Sequence, residues 1–336
     1  MTAGVLLVDK PSGMTSHDVV ARARRALGTR KIGHAGTLDP MATGLLVLGV
    51  DGATRLLTYV VGLDKTYEAT IRLGATTDTD DADGEIQTST DAAAVSLADV
   101  AARISELTGT ISQVPSRVSA IKVAGRRAYD LARAGEEVEL AAREVTVSRF
   151  EVRGHRRPSA GSGTGADGSW TAADGSGTGA AGSGTGAAGA GDAGPLGEHL
   201  DLDVVVDCTS GTYIRALARD LGAALGVGGH LTALRRTRIG PFAVAGAATL
   251  EDLATHPLLS PGEAASAVLG VVSVSADEAR DLRHGKRLAG AAARLDPEQR
   301  NRPAAAIDAA GVLVGIVERR GEDIKSAMNM PQEVAS

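Results

Sequence analysis

Gly33-His-Ala-Gly-Thr-Leu-Asp-Pro-Met-Ala-Thr-Gly-Leu-Leu-Val-Leu-Gly49 is the stretch that decides the fold, because a glycine-rich loop here runs into an apolar segment. Its glycines permit tight turns and let the backbone approach a ligand closely. The apolar run predicts a buried strand over residues 45–50. Pro40 fixes the backbone directly after Asp39, the only acidic residue of the stretch. An aspartate before a proline is usually a turn residue, so local chemistry leaves a structural and a catalytic role open.

The composition is that of a globular protein with an aliphatic core. The chain has 336 residues, 43% hydrophobic and 2% aromatic, and a net charge of −6. This length allows one large domain and a small one, and the apolar content excludes global disorder. The single cysteine, Cys208, excludes an intramolecular disulfide and a cysteine-rich zinc site. No apolar run approaches the roughly 18 residues of a membrane span, and no basic flank marks a signal peptide, so we expect a cytoplasmic protein.

Positive charge is concentrated in two segments despite the negative total. Residues 22–31 hold five basic residues and no acid, and residues 213–240 hold five arginines against Asp220 alone. Acidic residues gather instead at positions 78–85. Solvated helix faces are one interpretation of the basic segments. If the partner is a nucleic acid, we expect both basic segments to face its phosphates and the acids to face away.

A low-complexity tract divides the chain. Residues 154–195 contain no Val, Ile, Leu, Phe or Met, and Gly-Ser-Gly-Thr-Gly-Ala occurs three times. Such a composition cannot offset the entropy lost on ordering, which predicts a flexible insertion over residues 154–198. Strand-like patterns flank it at 145–152 and 200–206. The tract is therefore predicted to be a loop between two neighbouring strands of one domain rather than a linker between domains.

The remaining patterns indicate an α+β fold. Strands are predicted at residues 5–8, 45–50 and 67–73. Helices are predicted at 18–27 with Ser16 as N-cap, from Ser96 to about 107, at 126–134 and at 212–225. Strands and helices do not alternate strictly, and no dinucleotide glycine fingerprint follows a strand. We therefore expect a mixed, mainly antiparallel central sheet flanked by helices, rather than a doubly wound sheet.

A smaller β-rich unit is predicted at the C-terminal end. Strands are expected at residues 271–274, 305–307 and 313–317, with a helix at 276–283. The prolines around 257–261 suggest a boundary, so we divide the chain into residues 1–256, a linker at 257–270 and a second domain at 271–336.

The opening stretch resembles the signature of the TruB-type tRNA pseudouridine synthases, Gly-His-X-Gly-X-Leu-Asp-Pro-X-Ala-X-Gly-X-Leu. Other motifs of that family match in the same order at residues 8–16, 65–67, 77–84, 115–122, 210–215 and 230–236. The resemblance covers residues 4–150 and 198–256, and the C-terminal unit resembles a PUA-type RNA-binding module. The Gly-Ser-Gly-Thr insertion departs from the compact family pattern but interrupts none of these motifs.

This resemblance implies an isomerase that flips uridine-55 out of the T loop of tRNA and converts it to pseudouridine. The bond from C1′ to N1 breaks, the uracil rotates, and C1′ is rejoined to C5. A carboxylate suits this chemistry as nucleophile or as stabiliser of an oxocarbenium-like state. The family's aspartate corresponds to Asp39. Its arginine corresponds to Arg215, which we expect to lower the pKa of Asp39 and to orient it.

The resemblance also assigns substrate contacts. Tyr67 is predicted to stack on the target base, Tyr213 and the main chain of Leu234 to contact it, and His34 to contact the RNA beside it. From the residues alone, Tyr67 suits a core position and His34 a polar surface. Lys10 is predicted to bind substrate, with phosphate binding and packing both open, and Lys122 is viewed in the same way.

No cofactor and no metal are expected, because the isomerisation is redox-neutral. A calcium loop at residues 78–84 fails, because threonines occupy two positions that need ligands; we expect a structural loop at the site entrance. The predicted partner is the T stem-loop of tRNA, with no membrane, no obligate protein partner and a monomeric enzyme. Two alternatives stay open: an RNA-binding or tRNA-folding chaperone, and a synthase acting on another RNA. The carbon that Asp39 attacks and the group that takes the C5 proton also stay open.

Overall fold

A mixed sheet forms the centre of the fold in the computed structural model, which describes residues 3–116, 122–123, 126–127, 140–157, 198–297 and 301–331. The strands up to residue 243 are β1 (Gly4–Lys10), β2 (Ile32–Ala35), β3 (Thr43–Val50), β4 (Lys65–Leu73), β5 (Ala75–Thr77), β6 (Ile86–Ser89), β7 (Gly109–Gln113), β8 (Lys122–Val123), β9 (Arg126–Arg127), β10 (Arg143–Arg156), β11 (Leu200–Cys208), β12 (Gly229–Ile239) and β13 (Phe242–Ala243). The helices of this part are α1 (Ser16–Ala26), α2 (Leu57–Val60), α3 (Leu97–Glu106) and α4 (Ile214–Ala224), and a 3-10 helix spans Asp51–Leu56.

Nine of these strands form the central sheet within the described residues, in the order β1-β3-β12-β4-β11-β10-β7, with β2 on β3 and β13 on β12. The described pairs in it are antiparallel except β3 with β12, which meet at only two parallel positions, Thr43 opposite Arg235 and Gly44 opposite Arg236. This short seam joins the N-terminal strands to the rest of the sheet. The structure confirms the predicted mixed, mainly antiparallel α+β fold.

Alternation along β4 sorts its side chains between a core face and an outer face. Tyr67, Ala69 and Ile71 are buried on one face, where they join Leu217 of α4 in the main hydrophobic core. The residues between them carry polar side chains toward the other face, as a period of two requires. The core face is therefore the side of the sheet that faces α3 and α4.

The first helix begins differently from its prediction. Thr15, not Ser16, is the N-cap: its side chain accepts from the Asp18 amide, and Asp18 reaches back to complete a capping box. Ser16 is buried instead, and its Oγ accepts from the Leu38 amide at 2.9 Å. The start of α1 is thereby tied to the loop that carries Asp39. The predicted N-cap at Ser96 is confirmed, because its capping box with Asp99 opens α3.

The strands on either side of the insertion are neighbours, as predicted. β10 and β11 pair antiparallel from Val147 opposite Cys208 to Arg156 opposite Asp201. β10 extends to Arg156, three residues into the tract predicted as the insertion, and residues 158–197 of the tract lie outside the described residues. The helix predicted over residues 126–134 is wrong at its start, since Arg126–Arg127 pair as a strand with Lys122–Val123. The rest of that helix and the Lys122 side chain lie outside the described residues.

The C-terminal unit is a second sheet, of five strands in the described residues, in the order β14-β16-β17-β18-β15. Its elements are α5 (Pro261–Val268), β14 (Gly270–Val274), α6 (Ala276–Arg283), β15 (Arg287–Leu288), a 3-10 helix (Ala291–Arg294), β16 (Ala304–Asp308), β17 (Leu313–Arg320) and β18 (Asp323–Asn329). In the part of the chain that the structure describes, no helix is long and apolar enough to span a membrane.

The predicted linker at 257–270 is a packed segment instead. Leu259 bridges to Val5 of β1, and Ser260 caps α5 with Pro261 in its first turn. Ala264 of α5 shares one hydrophobic cluster with Leu45 of β3 and Ile316 of β17. The two sheets are therefore joined by a common core, and the prolines that suggested a boundary open a helix.

Candidate active site

A pocket opens where the loop after β2, the start of β4 and the start of α4 converge. Five residues predicted for the site line it together: Asp39, Tyr67, Tyr213, Arg215 and Leu234. They come from four separate stretches of the chain, and the sheet order brings them together because β4 lies between β12 and β11. The pocket is also lined by Lys65 and Arg236, which sequence reasoning did not assign to it.

Lys10 holds the loop that presents Asp39 through hydrogen bonds to backbone carbonyls. The Lys10 side chain is fully buried, and its Nζ donates to the carbonyl oxygens of Met14 at 2.7 Å, Pro11 at 3.0 Å and Pro40 at 3.1 Å. Burial lowers the pKa of Lys10 to about 8. Because the ammonium is enclosed by three carbonyls, the prediction that Lys10 binds substrate is not supported. Its contacts assign it to the position of the Asp39 loop.

Asp39 and Arg215 form a two-point ion pair. Nε of Arg215 lies 3.1 Å from Oδ2 of Asp39, and Nη2 lies 3.1 Å from Oδ1. The arginine side chain is 4% exposed, whereas the aspartate side chain keeps 35% of its surface open. A planar guanidinium fixes both carboxylate oxygens in this arrangement. The remaining free edge of the carboxylate is therefore available to a reactant in the pocket.

The same guanidinium binds a second carboxylate. Nη1 of Arg215 lies 3.1 Å from Oδ2 of Asp81 and donates to the carbonyl oxygen of Thr79 at 3.0 Å. Desolvation raises the pKa of Asp39; Arg215 opposes this rise and Asp81 adds to it. Arg215 therefore lowers the pKa of Asp39 as expected, but burial outweighs this effect and the pKa lies above its ordinary value.

The acidic loop faces the site rather than away from it. Asp81 pairs with Arg215, and Asp80 lies 3.4 Å from Nη1 of Arg219, one helical turn further along α4. The remaining arginines of residues 213–240 also have partners inside the protein. Arg235 pairs with Asp9, Arg238 with Asp207, and Arg236 donates to the carbonyls of Leu45 and Gly36. The prediction of a basic RNA-facing surface over residues 213–240 is therefore not supported.

The two tyrosines are held by different means. Tyr67 is 8% exposed and stands opposite Arg236 in the β4–β12 register. Burial raises the pKa of Tyr67, and Arg236 opposes the rise through its charge and a hydrogen bond. Tyr213 precedes α4, and its backbone is clamped by Gln113, whose Oε1 accepts from the Tyr213 amide at 2.8 Å and whose Nε2 donates to its carbonyl at 3.1 Å. Gln113 was missed because it lies 100 residues away on β7.

His34 lies beside the pocket on β2, two residues before Gly36 of the lining. Its ring meets the ring of His17 edge to face, with centroids 5.4 Å apart. Burial, followed by the charges of His17 and Arg236, lowers the pKa of His34. Leu234 stands opposite Ala69 in the β4–β12 register, which places its main chain in the sheet behind the pocket. Among the described residues, no group of three His, Cys, Asp or Glu side chains is placed to hold a metal ion.

Family models match most of the chain. Residues 24–163 match the model described as TruB family pseudouridylate synthase (N terminal domain). Residues 215–269 match the tRNA pseudouridylate synthase B C-terminal domain, and residues 269–331 match the model described as tRNA Pseudouridine synthase II, C terminal.

Individual proteins are similar over almost the full length. A tRNA pseudouridine synthase B of Arthrobacter sp. (strain FB24) is 50% identical over 324 residues, which are 96% of this chain and 94% of that protein. The tRNA pseudouridine synthase B of Nocardia farcinica is 51% identical over 321 residues, covering 95% of this chain and 90% of the relative. Among solved structures, a chain of an H/ACA RNP bound to a substrate RNA containing 2'-deoxyuridine has a TM-score of 0.64 at 22% identity, covering 98% of this chain and 85% of that one. A chain of a Cbf5-Nop10-Gar1 complex has a TM-score of 0.62 at 23% identity, covering 98% and 84%. At this identity the solved structures support the fold alone.

Proposed function

The chain belongs to the TruB family of pseudouridylate synthases, and on this premise we propose that it converts uridine-55 in the T loop of tRNA to pseudouridine. The observation that carries the proposal is the Asp39–Arg215 pair at the bottom of a pocket that also presents Tyr67. A carboxylate fixed beside an aromatic side chain suits reaction at the sugar of a nucleotide that has left its stack. The relatives named tRNA pseudouridine synthase B support tRNA as the substrate.

Asp39 begins the reaction in its ionised form. It acts on the sugar of the flipped nucleotide, the C1′–N1 bond breaks, and the uracil rotates until C5 faces C1′. The new C–C bond then forms, Asp39 is released, the C5 proton leaves and N1 takes up a proton. A carboxylate whose pKa is raised by burial is a stronger nucleophile and base than an exposed one, provided that it stays ionised at the working pH. Arg215 contributes orientation by holding both oxygens.

The aromatic residues would hold the extruded base. Tyr67 would stack on the uracil, Tyr213 would contact it from the start of α4, and the main chain of Leu234 would contact its edge. Stacking of this kind offsets the few kcal/mol that base flipping costs. His34, on the strand that leads into the Asp39 loop, would contact the RNA next to the flipped nucleotide.

The RNA backbone would follow the basic segment at residues 22–31. Its five basic residues are exposed, and none of them forms an ion pair with a carboxylate in the described part of the chain: Arg22, Arg24, Arg25, Arg30 and Lys31. The segment leads directly into β2 and so approaches the pocket from the His34 side. Exposed cations without acidic partners are what phosphate binding needs. Of the two basic segments, the structure supports only this one as an RNA-facing surface.

The C-terminal sheet would add a second RNA contact as a PUA-like module, with residues 1–256 forming the catalytic domain. We also propose that the enzyme works as a cytoplasmic monomer without an obligate protein partner. The isomerisation is redox-neutral, so the reaction as written needs no cofactor.

Tritium release from uracil C5 tests the proposal directly. Purified wild-type protein is incubated with a bare T-arm transcript that carries tritium at C5, and label is expected to be released. The Asp39→Asn variant should release none while binding the RNA with unchanged affinity. Full release by this variant would refute the mechanism, and no release by the wild type on a bare transcript would favour a synthase that needs another RNA. An effect of Asp39→Asn protein on tRNA folding would report a separate chaperone activity.

A further inference from the structure

Two buried cations line the pocket beside Tyr67. Lys65 is 5% exposed and precedes Tyr67 by two residues on the same face of β4, and Arg236 is 1% exposed and stands opposite Tyr67 on β12. Neither forms an ion pair with a carboxylate within the described residues. Nζ of Lys65 donates to the carbonyls of Val61, at 2.8 Å, and Leu63. Arg236 donates to Leu45 at 2.8 Å and Gly36 at 3.0 Å.

Buried charges are normally paired with an opposite charge, because desolvation penalises them strongly. The carbonyl dipoles around Lys65 and Arg236 orient the two groups without neutralising them. Gly36 packs directly over the pair: a Cβ on this glycine would lie 3.4 Å from Nη1 of Arg236 and 4.0 Å from Cε of Lys65. The floor of the pocket around Tyr67 is therefore positively charged before any substrate arrives.

The reaction of the proposed function moves a negative charge across this pocket. When the C1′–N1 bond breaks, its electron pair stays on the uracil, which becomes an anion spread over N1, O2 and O4. Asp39 loses its own charge in the same stage, either by forming a C1′–O bond or by taking a sugar proton. Arg215 stabilises the negative charge while it is on the Asp39 carboxylate. A second cationic group is needed to stabilise the charge once it is on the uracil.

We propose that Lys65 and Arg236 form this second group and stabilise the anionic uracil between bond cleavage and C5 attachment. The inference rests on the proposed function, because it concerns the base that Tyr67 would hold. The two cations stand in place before the reaction, so they stabilise the anion without rearrangement. Bonding of C5 to C1′ neutralises the uracil; the C5 proton then leaves and N1 takes up a proton, so the neutral product is no longer held by the pair.

The groups that face Lys65 make its charge dependent on pH. They are Arg236 from β12, Cys208 from β11 and Asp64 from the preceding loop. Burial and Arg236 lower the pKa of Lys65 to about 8, whereas burial raises the pKa of Cys208 to about 11, so the thiol stays neutral in this range. The single-turnover rate should therefore decline as pH rises through about 8. In Lys65→Arg the guanidinium stays protonated, so the part of the decline that Lys65 causes should disappear, and only the part caused by Lys10, whose pKa is also about 8, should remain.

The decisive experiment compares uridine with 5-fluorouridine at the target position of the same T-arm RNA. Fluorine withdraws electrons, so the fluorouracil anion needs less stabilisation by the protein. Single-turnover loss of each nucleoside is followed by nuclease digestion and liquid chromatography with mass spectrometry, in which retention time separates uridine from pseudouridine of the same mass. Lys65→Met should slow uridine by roughly 10–100-fold and fluorouridine by only a few-fold. Lys65→Arg should restore most of the uridine rate.

Lys10→Met is the matched control. Lys10 is a second buried lysine that donates to carbonyls and has a pKa of about 8, but it lies under the Asp39 loop rather than in the pocket lining. Its removal should slow both substrates by the same factor. Equal slowing of both substrates in Lys65→Met would overturn the proposal, and so would an alkaline decline that is as steep in the Lys10→Met, Lys65→Arg double variant as in Lys10→Met alone. If the wild-type protein converts neither uridine nor 5-fluorouridine, the result would instead refute the proposed function on which this inference rests.

Discussion

Asn substitutions at the two carboxylates on Arg215 should change the stability of the protein by very different amounts. Asp81 is 4% exposed and accepts three hydrogen bonds or ion contacts: from Arg215 at 3.1 Å, from Thr79 Oγ1 at 2.6 Å and from the Asp83 amide at 3.1 Å. Removal of one partner of a buried pair costs about 3–5 kcal/mol. Because Arg215 keeps Asp39 as a partner, we expect the lower end for Asp81→Asn, about 3 kcal/mol. For a chain of this length it corresponds to a fall in Tm of roughly 4–5 °C.

Asp39→Asn should leave stability within about 1 kcal/mol of the wild type. Its carboxylate is 35% exposed, and Arg215 keeps Asp81 and the Thr79 carbonyl as partners. The raised pKa of Asp39 means that the folded protein holds this charge at a cost, so neutralising it can even raise Tm. Thermal unfolding of both variants at pH 7 measures the contrast. A loss of stability in Asp39→Asn equal to that in Asp81→Asn would refute the reasoning.

The pH profile of Asp81→Asn provides a second readout. Activity requires ionised Asp39, so it is lost as pH falls through the pKa of that carboxyl. Because the Asp81 charge raises this pKa, its removal should move the acidic limb of the rate profile to lower pH. An acidic limb that stays in place, or moves to higher pH, would show that Asp81 does not act on Asp39 through its charge.

Perturbations away from this pair test the other parts of the fold. Lys10→Met should lower the free energy of unfolding by about 2–3 kcal/mol in denaturant titrations, because three buried carbonyls lose their donor; unchanged stability would contradict this role. Replacement of residues 158–197 by a short turn should leave Tm and activity intact, since β10 and β11 already pair beside it; loss of either would show that the tract has a structural role. A triple Arg→Gln change at Arg22, Arg25 and Arg30 should reduce the slope of log affinity against log salt by roughly 2, and an unchanged slope would remove this segment from the RNA interface.

The sequence analysis predicted correctly those elements whose structure depends on residues close together in the chain. The Ser96 capping box, the apolar run of β3 and the strands beside the insertion are short patterns that tertiary contacts do not override. The convergence of Asp39, Tyr67 and Arg215 could not be read from local patterns. That convergence was predicted from the resemblance to a family. Its structural cause is the strand order, in which β4 lies between β12 and β11.

The basic segment at 213–240 shows why charge counting fails on strands. Arg235 and Arg236 are adjacent on β12, so their side chains point to opposite faces of the sheet. Arg235 pairs with Asp9, 226 residues away in sequence, and Arg236 reaches the Leu45 carbonyl at a separation of 191. The five arginines of this segment therefore contact four different places in the fold: the acidic loop, Asp9 on β1, the Leu45 and Gly36 carbonyls, and Asp207 on β11. The exposed segment at 22–31 differs because most of it lies on the open side of α1 and in the loop that follows.

The burial of Lys10, Lys65 and Arg236 was beyond sequence analysis for the same reason. Each is a cation in a polar motif, and nothing in its immediate sequence distinguishes an exposed side chain from one enclosed by carbonyls. The distinction depends on loops that fold back over the side chain, such as the Pro40 turn over Lys10 and Gly36 over Arg236.

The shared core between the two sheets determines how the C-terminal unit can be tested. Ala264, Ile316 and Met330 pack in one cluster with Val5 and Leu45, and Asn329 accepts a hydrogen bond from Arg55 of the 3-10 helix at 2.7 Å. Deletion of residues 271–336 would expose the apolar side of β1 and β3 and destabilise the strands that hold the Asp39 loop. A fall in activity after such a deletion would therefore not measure RNA binding by the C-terminal unit. Charge-removing substitutions on its exposed surface, with Tm unchanged, separate binding from support of the catalytic sheet.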